Sequence, residues 1–454
     1  MNTTSFPNSE KYSTQLTRPA LATFSLVLMI ALALIAVPAL QAQTFTVIHS
    51  FTGGGDGSVP YDGLTTDIAG NLYGTTYYGG TGLGTVFKLR HSGSGWILAP
   101  LYNFTRGQDG FAPLAWVDIA RDGTLYGTTA YGGLLQCDEM GDGCGTVFHL
   151  TPSATVPKSA LAPWTKTAAW LFGGGSEGKS PHGDLIFDLA GNIYGTTTEG
   201  GDHNCGAIYQ LTPSGGGWEE TTLYSAQGEN FCNELHRASG PSPKTAPYSA
   251  QGNGDGSAPV GGVVFDSSGN LYGVFGLDGP YGGGAVYELS PTGSGWTERI
   301  LYDFTGGNDG GNPIGGLNID SVGNLYGTTS RGGGSSGCGT VFELTSANGG
   351  WTFNTIYSFP GAPGGCGPQV KLTIDSAGNL YGATGGAGAY GFGLVFKLTK
   401  ANGGWVSSSL HDFSDGSDGT GPETNLVFDA SGNLYGTTAG GGAYGGGVVF
   451  EITP

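Results

Sequence analysis

A seven-residue string, Gly-Asn-Leu-Tyr-Gly-Thr-Thr at 70–76, returns in close copies centred on Tyr126, Tyr194, Tyr272, Tyr326, Tyr381 and Tyr435. Successive central tyrosines stand 53, 68, 78, 54, 55 and 54 residues apart. Self-similarity on this scale means that each copy is one supersecondary unit, which cannot bury its apolar face alone and stacks on its neighbours. Chain length therefore does not count domains here, and residues 43–454 read as one domain of seven repeats. The fifth unit is the cleanest: 313–320 reads as a strand, 321–323 as a tight turn and 324–329 as a second strand. A glycine-rich loop leads to a third strand at 339–344, and a turn at 348–350 leads to a fourth at 351–359. Period-two alternation bounded by Gly, Asn and Asp is the signature of antiparallel hairpins. Four strands in about 54 residues make a propeller blade. The expected fold is all-β, a seven-bladed β-propeller with four antiparallel strands per blade.

The two long spacings come from insertions at 134–143, 153–163 and 229–252, which repeat architectures place in loops. The frame survives them. A tryptophan precedes the fourth-strand aromatic by six residues at Trp96, Trp164, Trp218, Trp296, Trp351 and Trp405. The chain stops after a third strand at 448–452, and its missing fourth strand is found at the other end. Residues 44–51 carry His49-Ser50-Phe51 where other units have Tyr102-Asn103-Phe104 or His411-Asp412-Phe413. An open solenoid would need capping units instead. Pairing the first strand with the last three closes a ring and hides two edges that would otherwise template aggregation.

Composition excludes the competing glycine-rich classes. Gly is 90 of 454 residues but shows no Gly-X-Y period, and 22 Tyr with 22 Phe are too many aromatics for a disordered polymer. Residues 1–42 differ from the rest, with Lys11 and Arg18 ahead of an apolar run at 20–37 that Pro38, Ala39 and Ala42 follow. That is the order of a secretory signal peptide. An uncleaved membrane anchor is the competing reading, since the run is 18 residues long. The expected location is secreted, periplasmic or at a bacterial cell surface. Loss of 1–42 moves the formal charge from −19 to −20. So acidic a surface disfavours nucleic acid and anionic lipid, which need clustered Lys and Arg, and a soluble monomer is expected.

The elements D-x-x-G-N-L-Y-G-T-T, G-T-V-F-x-L and L-Y-x-F-T-G-G-x-D-G together resemble the GloVer tandem-repeat family of exported bacterial proteins, over essentially all of 44–454. More distantly, D-x-x-G-N-L-Y resembles the turns of NHL-type and lyase-type propellers. The resemblance implies a repeat-built extracellular protein and carries over no catalytic residue.

Asp67, Asp188, Asp266, Asp320, Asp375 and Asp429 each stand three residues before a turn glycine, with Ala120 and Asp122 as the departure in the second unit. An Asp accepting the N–H groups of its own turn explains this position without a metal. Blade topology puts the loops between strands two and three on the same face as those joining one blade to the next. That face carries Asp56, Asp109, Glu177, Asp255, Asp309 and Asp418 from the inter-blade loops. It also carries Tyr77, Tyr78, Tyr131, Tyr281, Tyr390 and Tyr444 from the hairpins. Carboxylates bonding hydroxyls and tyrosines stacking on rings would make a carbohydrate site, and the carboxylates alone are candidate Ca²⁺ ligands. The competing account is that Gly-x-Asp-Gly is turn chemistry and the tyrosines cap blades.

His49 and His411 take a position held by tyrosine elsewhere and read as packed strand residues, while His203 and His236 lie in loop insertions. No H-E-x-x-H, G-x-S-x-G or phosphate loop occurs, so no catalytic residue and no required cofactor are assigned. Six cysteines in an exported chain read as disulfides. Cys144, Cys205 and Cys338 all precede the glycine that opens strand three, and Cys232 and Cys366 fall in loops after strand four. The register thus predicts Cys205–Cys232 and Cys338–Cys366, leaving Cys137–Cys144. The expected function is a binding module for an extracellular glycan or protein through the loop-rich face. A polysaccharide lyase or hydrolase and a structural surface protein are the alternatives.

Overall fold

In the computed structural model, the described residues are Met1, 43–93, 95–137, 141–152, 164–228, 254–293, 295–347, 349–401 and 403–454. The expected signal segment, the insertions at 153–163 and 229–252, and with them His236 and Cys232, lie outside them. The strands form seven antiparallel sheets, one for each repeat. Blade 5 is representative, with strands Leu317–Ile319, Leu325–Thr329, Thr340–Ala347 and Gly350–Ser358 paired in chain order. Thr44–Thr453 form one compact unit.

The ring closes as the repeat register requires. Thr44–Ser50 pairs antiparallel with Val448–Thr453 as the fourth strand of blade 7. It carries the same local defect as its cognates, a register shift between Val47 and His49. Every other blade has such a bulge between strands three and four, for instance at Val86/Phe87 and Val341/Phe342. One extra residue at a fixed place increases the local twist, so the N-terminal strand is equivalent to the others in geometry as well as in sequence.

The two recurring aromatics of the repeat meet across blade boundaries. Trp96 of blade 1 stands edge-on to Tyr435 of blade 7 at 5.7 Å, Trp218 to Tyr126 at 6.0 Å, Trp296 to Tyr194 at 6.4 Å and Trp351 to Tyr272 at 5.6 Å. Edge-to-face pairs add about 0.5–1.5 kcal/mol beyond the area they bury. The glycine opening strand three has a related duty. A Cβ on Gly447 would lie 2.8 Å from Cδ of Pro60 in blade 1, and one on Gly393 would lie 2.6 Å from Cδ of Pro422 in blade 7. Only glycine lets the strand-three entry seat against the proline that begins the next inner strand.

The inner strands are shorter than the sequence pattern suggests. Blade 1 keeps only Thr65–Thr66 in its ladder and blade 7 only Val427–Phe428, although blade 4 extends over Ser257–Phe265. The residues after the inner-strand proline leave their own sheet because they press against neighbouring inner strands at the ring's axis. A Cβ on Gly63 would fall 2.7 Å from the carbonyl oxygen of Asn425 in blade 7.

The repeated turn Asp is structural, as its position implies. Asp320 Oδ1 accepts from the N–H groups of Val322 and Asn324 at 3.0 and 2.9 Å, and Oδ2 from Asn324 Nδ2 and the Tyr326 hydroxyl at 2.9 and 3.2 Å. The same bonds recur at Asp67, Asp188, Asp266, Asp375 and Asp429. Although partial burial opposes ionisation, these donors hold the Asp320 carboxyl below the usual range. Asp320→Ala is expected to cost about 1–2 kcal/mol at neutral pH, read as a lowered melting temperature. A depressed folded pKa contributes stability that is present above the unfolded value and lost as pH falls through the folded one, so the difference between variant and parent should shrink in strong acid.

Candidate functional site

Each inner strand begins at a proline: Pro60, Pro113, Pro181, Pro259, Pro313, Pro368 or Pro422. The fourth residue after it is always Leu or Val, yet the first is Tyr61, Leu114, His182, Val260, Ile314, Gln369 or Glu423, seven residues in seven copies. The third is similarly diverse, with Trp116, Asp184, Lys371 and Asn425 among three glycines. At the axis these positions line a cavity of about 200 Å³ to which all seven blades contribute.

The lining is largely polar, with Asp62, His182, Asp184, Gln369, Glu423 and Asn425, and a buried polar network is bonded to it. Lys371 of blade 6 reaches across the axis to Asp184 of blade 3, Nζ to Oδ2 at 2.6 Å, with both side chains largely buried. Asn425 Nδ2 donates to Asp62 Oδ1 at 3.2 Å, and its own Oδ1 accepts from the Lys371 N–H at 2.6 Å. Asp118 accepts from the Leu185 N–H at 3.0 Å and from Trp116 Nε1 at 3.2 Å. Burial, with the Asp184 charge nearby, pushes Asp62 up to about 7 and Asp118 up to about 8. Burial also lowers the pKa of His182, against the opposing pull of Asp184, so its imidazole is neutral at pH 7. The His182 Nδ1 is buried and has no hydrogen-bond partner among the described residues. At the mouth, Glu423 is raised by burial, and the Tyr61 hydroxyl bonds its carboxylate.

These raised carboxyls oppose the turn aspartates in sign. A carboxyl whose folded pKa lies above its unfolded one keeps its proton longer in the native state, so its stability contribution is lost as pH rises from about 4 towards 8. Asp118→Asn retains an acceptor for Leu185 and removes the buried charge. It is expected to melt higher than the parent at pH 9, by roughly 1–3 kcal/mol, and at the same temperature near pH 4. Calorimetry at the two pH values checks this.

The inter-blade carboxylates hold their own turns. Asp109 binds the Tyr102 hydroxyl at 2.6 Å, the Thr105 N–H at 2.7 Å and the Lys166 ammonium at 3.1 Å. Asp309 binds Tyr302 and Thr305, Asp255 binds Tyr224 and the Gln227 N–H, and Glu177 binds the Gly173 N–H. Asp56 and Asp418 do the same with Thr52 and Ser414, and His49 and His411 substitute for the tyrosine at 3.2 and 3.1 Å. The two histidines are therefore packed strand residues. Among the described residues, no three His, Cys, Asp or Glu side chains gather as metal ligands.

The tyrosines divide into two groups. Tyr281, Tyr390 and Tyr444 are exposed at separate hairpin tips. Tyr77 and Tyr78 meet edge-to-face at 4.5 Å, Tyr77 lies 6.5 Å from Tyr61 at the cavity mouth, and Tyr131 stacks on Phe111 at 5.3 Å. Bridges between Ser58 and Tyr78 and between Phe111 and Tyr131 join the inter-blade loops to the hairpins, so both belong to one face. Disulfides Cys137–Cys144 and Cys338–Cys366 staple that face, with Cα atoms 6.0 and 4.4 Å apart. Cys205 is also disulfide-bonded. Its expected partner, Cys232, lies outside the described residues.

The sequence reading passed over Tyr61, Asp62, Asp118, His182, Asp184, Lys371 and Glu423. Their signal was present as divergence. In a chain that serves as its own alignment, they break the repeat at positions flanked by repeated ones.

A disulfide-stapled seven-bladed propeller with a polar axial cavity defines the class. The model of the Gloeobacter/Verrucomicrobia repeat matches residues 38–246 and 240–450, and the chain belongs to that family. No curated protein sequence matches it. Among solved structures it is similar to an ulvan lyase of a new polysaccharide lyase family, at 10% identity over 87% of this chain and 92% of that one, with a TM-score of 0.49. It is also similar to a proposed 6-phosphogluconolactonase from Bacteroides uniformis, at 13% identity over 83% and 89%, with a TM-score of 0.48. A glucose dehydrogenase matches at 14% identity over 90% and 99%, with a TM-score of 0.42. No residue role is carried over from these structures.

Proposed function

We propose that this protein is an exported binding module that takes a neutral carbohydrate at the mouth of its axial cavity. The observation that carries the reading is the convergence there of the inner-strand residues at which the seven repeats differ. Repeated positions are explained by blade packing. The mouth residues Tyr61, Gln369 and Glu423 pack no blade and present a ring face, an amide and a carboxyl group, a set suited to a polyhydroxylated ring. The cavity, about 200 Å³, is below the ~300–1,000 Å³ of sites for drug-sized ligands, which suits one sugar residue. Neighbouring carboxyl groups disfavour acidic sugars. Three disulfide-bonded loops fit an oxidising compartment.

A glycan array probed with and without Ca²⁺ tests the reading. Neutral glycans should be retained, and Tyr61→Ala and Glu423→Gln should each lose the signal while melting as the parent does. Retention by both variants would remove the cavity from the reading. A buried imidazole lining the same cavity as the Asp62 and Asp184 carboxyls favours one further reading, acid–base cleavage of a polysaccharide. Product formation from a polysaccharide panel, abolished in His182→Ala, would establish it.

A further inference from the structure

We infer that the ligand is the chain end of a neutral polysaccharide, its last residue in the axial cavity and the following residues lying over Tyr77 and Tyr78. The inference rests on the carbohydrate reading above and adds the mode of binding.

Two independent observations lead to it. First, the inner strands converge at the axis. Gly183, Gly261 and Gly315 bring inner strands of different blades so close that a Cβ on any of them would overlap backbone, and the Lys371–Asp184 bridge spans what remains of the axis. A polymer cannot thread the ring, and a cavity of this size cannot hold a bent internal stretch, so only a terminus enters. Second, face tyrosines in contact with other rings of the face occur in one sector, whereas Tyr281, Tyr390 and Tyr444 stand at separate tips. The fourth and fifth residues after the central tyrosine are Tyr77-Tyr78 in blade 1 and Ala130-Tyr131 in blade 2, but Thr-Glu, Gly-Leu, Ser-Arg, Gly-Gly and Ala-Gly in the rest. Together with Tyr61 and Phe111, they form a path leading outward from the mouth: Tyr61 to Tyr77 at 6.5 Å, Tyr77 to Tyr78 at 4.5 Å, with the stacked Phe111–Tyr131 pair beside it. Tyr78 is half exposed, at 53%. Rigid rings with an apolar face and a polar tip suit successive sugar rings at small entropic cost. No other sector of the described face carries such a path.

The test uses neutral polysaccharides (glucan, xylan, mannan and galactan), each supplied intact and after limited hydrolysis to fragments of known mean length. Binding is measured by calorimetry on the full chain. At equal mass, capacity should rise in proportion to the number of chain ends. Affinity for a size ladder of the best-bound sugar should increase over the first few residues and then level off. A Tyr77→Ala, Tyr78→Ala double variant should lower affinity for the longer fragments at least tenfold and leave the monosaccharide constant unchanged. Intact and hydrolysed polymer binding equally by mass would overturn end recognition while leaving the carbohydrate reading in place. Equal losses for monosaccharide and oligosaccharide in the double variant would remove the aromatic path. If no neutral sugar binds and a cationic peptide does, both readings fall together.

Discussion

Deletion of residues 44–51 is expected to abolish the native fold. The first strand supplies the outer edge of blade 7 and lends side chains to both sides of the seam. Phe45 and Val47 pack in the cluster of Phe413, Phe450 and Ile452, while Ile48 and the fully buried Phe51 belong to the cluster of Leu72, Phe87 and Tyr435. At about 25 cal/mol per Å² of apolar surface, exposing these groups and their partners costs several kcal/mol, comparable to the whole stability of a domain. The unpaired edge of Val448–Thr453 would also be free to recruit another chain. Circular dichroism and gel filtration read the result. A shortened chain that stays monomeric and melts like the parent would mean that the seam contributes little.

The second large effect is expected at the axis. Lys371→Met leaves the carboxyl of Asp184, only 5% exposed, without the cation that faces it at 2.6 Å. Breaking a buried pair from one side typically costs about 3–5 kcal/mol, whereas replacing both partners with neutral groups is often close to neutral. The double variant Lys371→Met, Asp184→Asn should therefore recover most of the stability that the single variant loses. Urea unfolding of parent, single and double variants gives the coupling directly. A single variant as stable as the parent would show that the bridge is dispensable, and failure of the double to recover would assign Lys371 a packing duty against Trp116, whose ring lies 6.0 Å from the ammonium.

The fold was legible because each repeat states the same instructions. Gly-Asn-Leu-Tyr fixes a turn and the start of a strand, a tryptophan marks the fourth strand, and 44–51 fits the one place left open. Cys338–Cys366 followed from the repeat register, since the two occupy loops that topology brings to one face, and Cys137–Cys144 was the pair left over. What could not be read was the axis. Asp62, Asp184 and Lys371 come from blades 1, 3 and 6, and their proximity is a property of ring closure that no local pattern carries. The acidic loop residues carry the opposite signal, repetition. Asp109 and Asp309 recur because turn geometry needs them, and a residue that repeats with the frame reports on the frame. The tyrosines were half legible: Tyr77, Tyr78 and Tyr131 belong to one patch, but sequence alone could not separate them from the lone tips at Tyr281, Tyr390 and Tyr444.

The closing strand also sets the order of events in folding. Thr44 and Thr453 are hydrogen-bonded neighbours separated by 409 positions along the chain, so the first strand to leave the ribosome can pair only with the last. Contacts of such sequence separation form late, because the loop must close before they are rewarded. Until then Thr44–Ser50 remains an apolar segment without a partner, and six blades can assemble while the seventh cannot. A chain built this way has no closed ring until Val448–Thr453 has been made, because blade 7 needs both its first and its last strand.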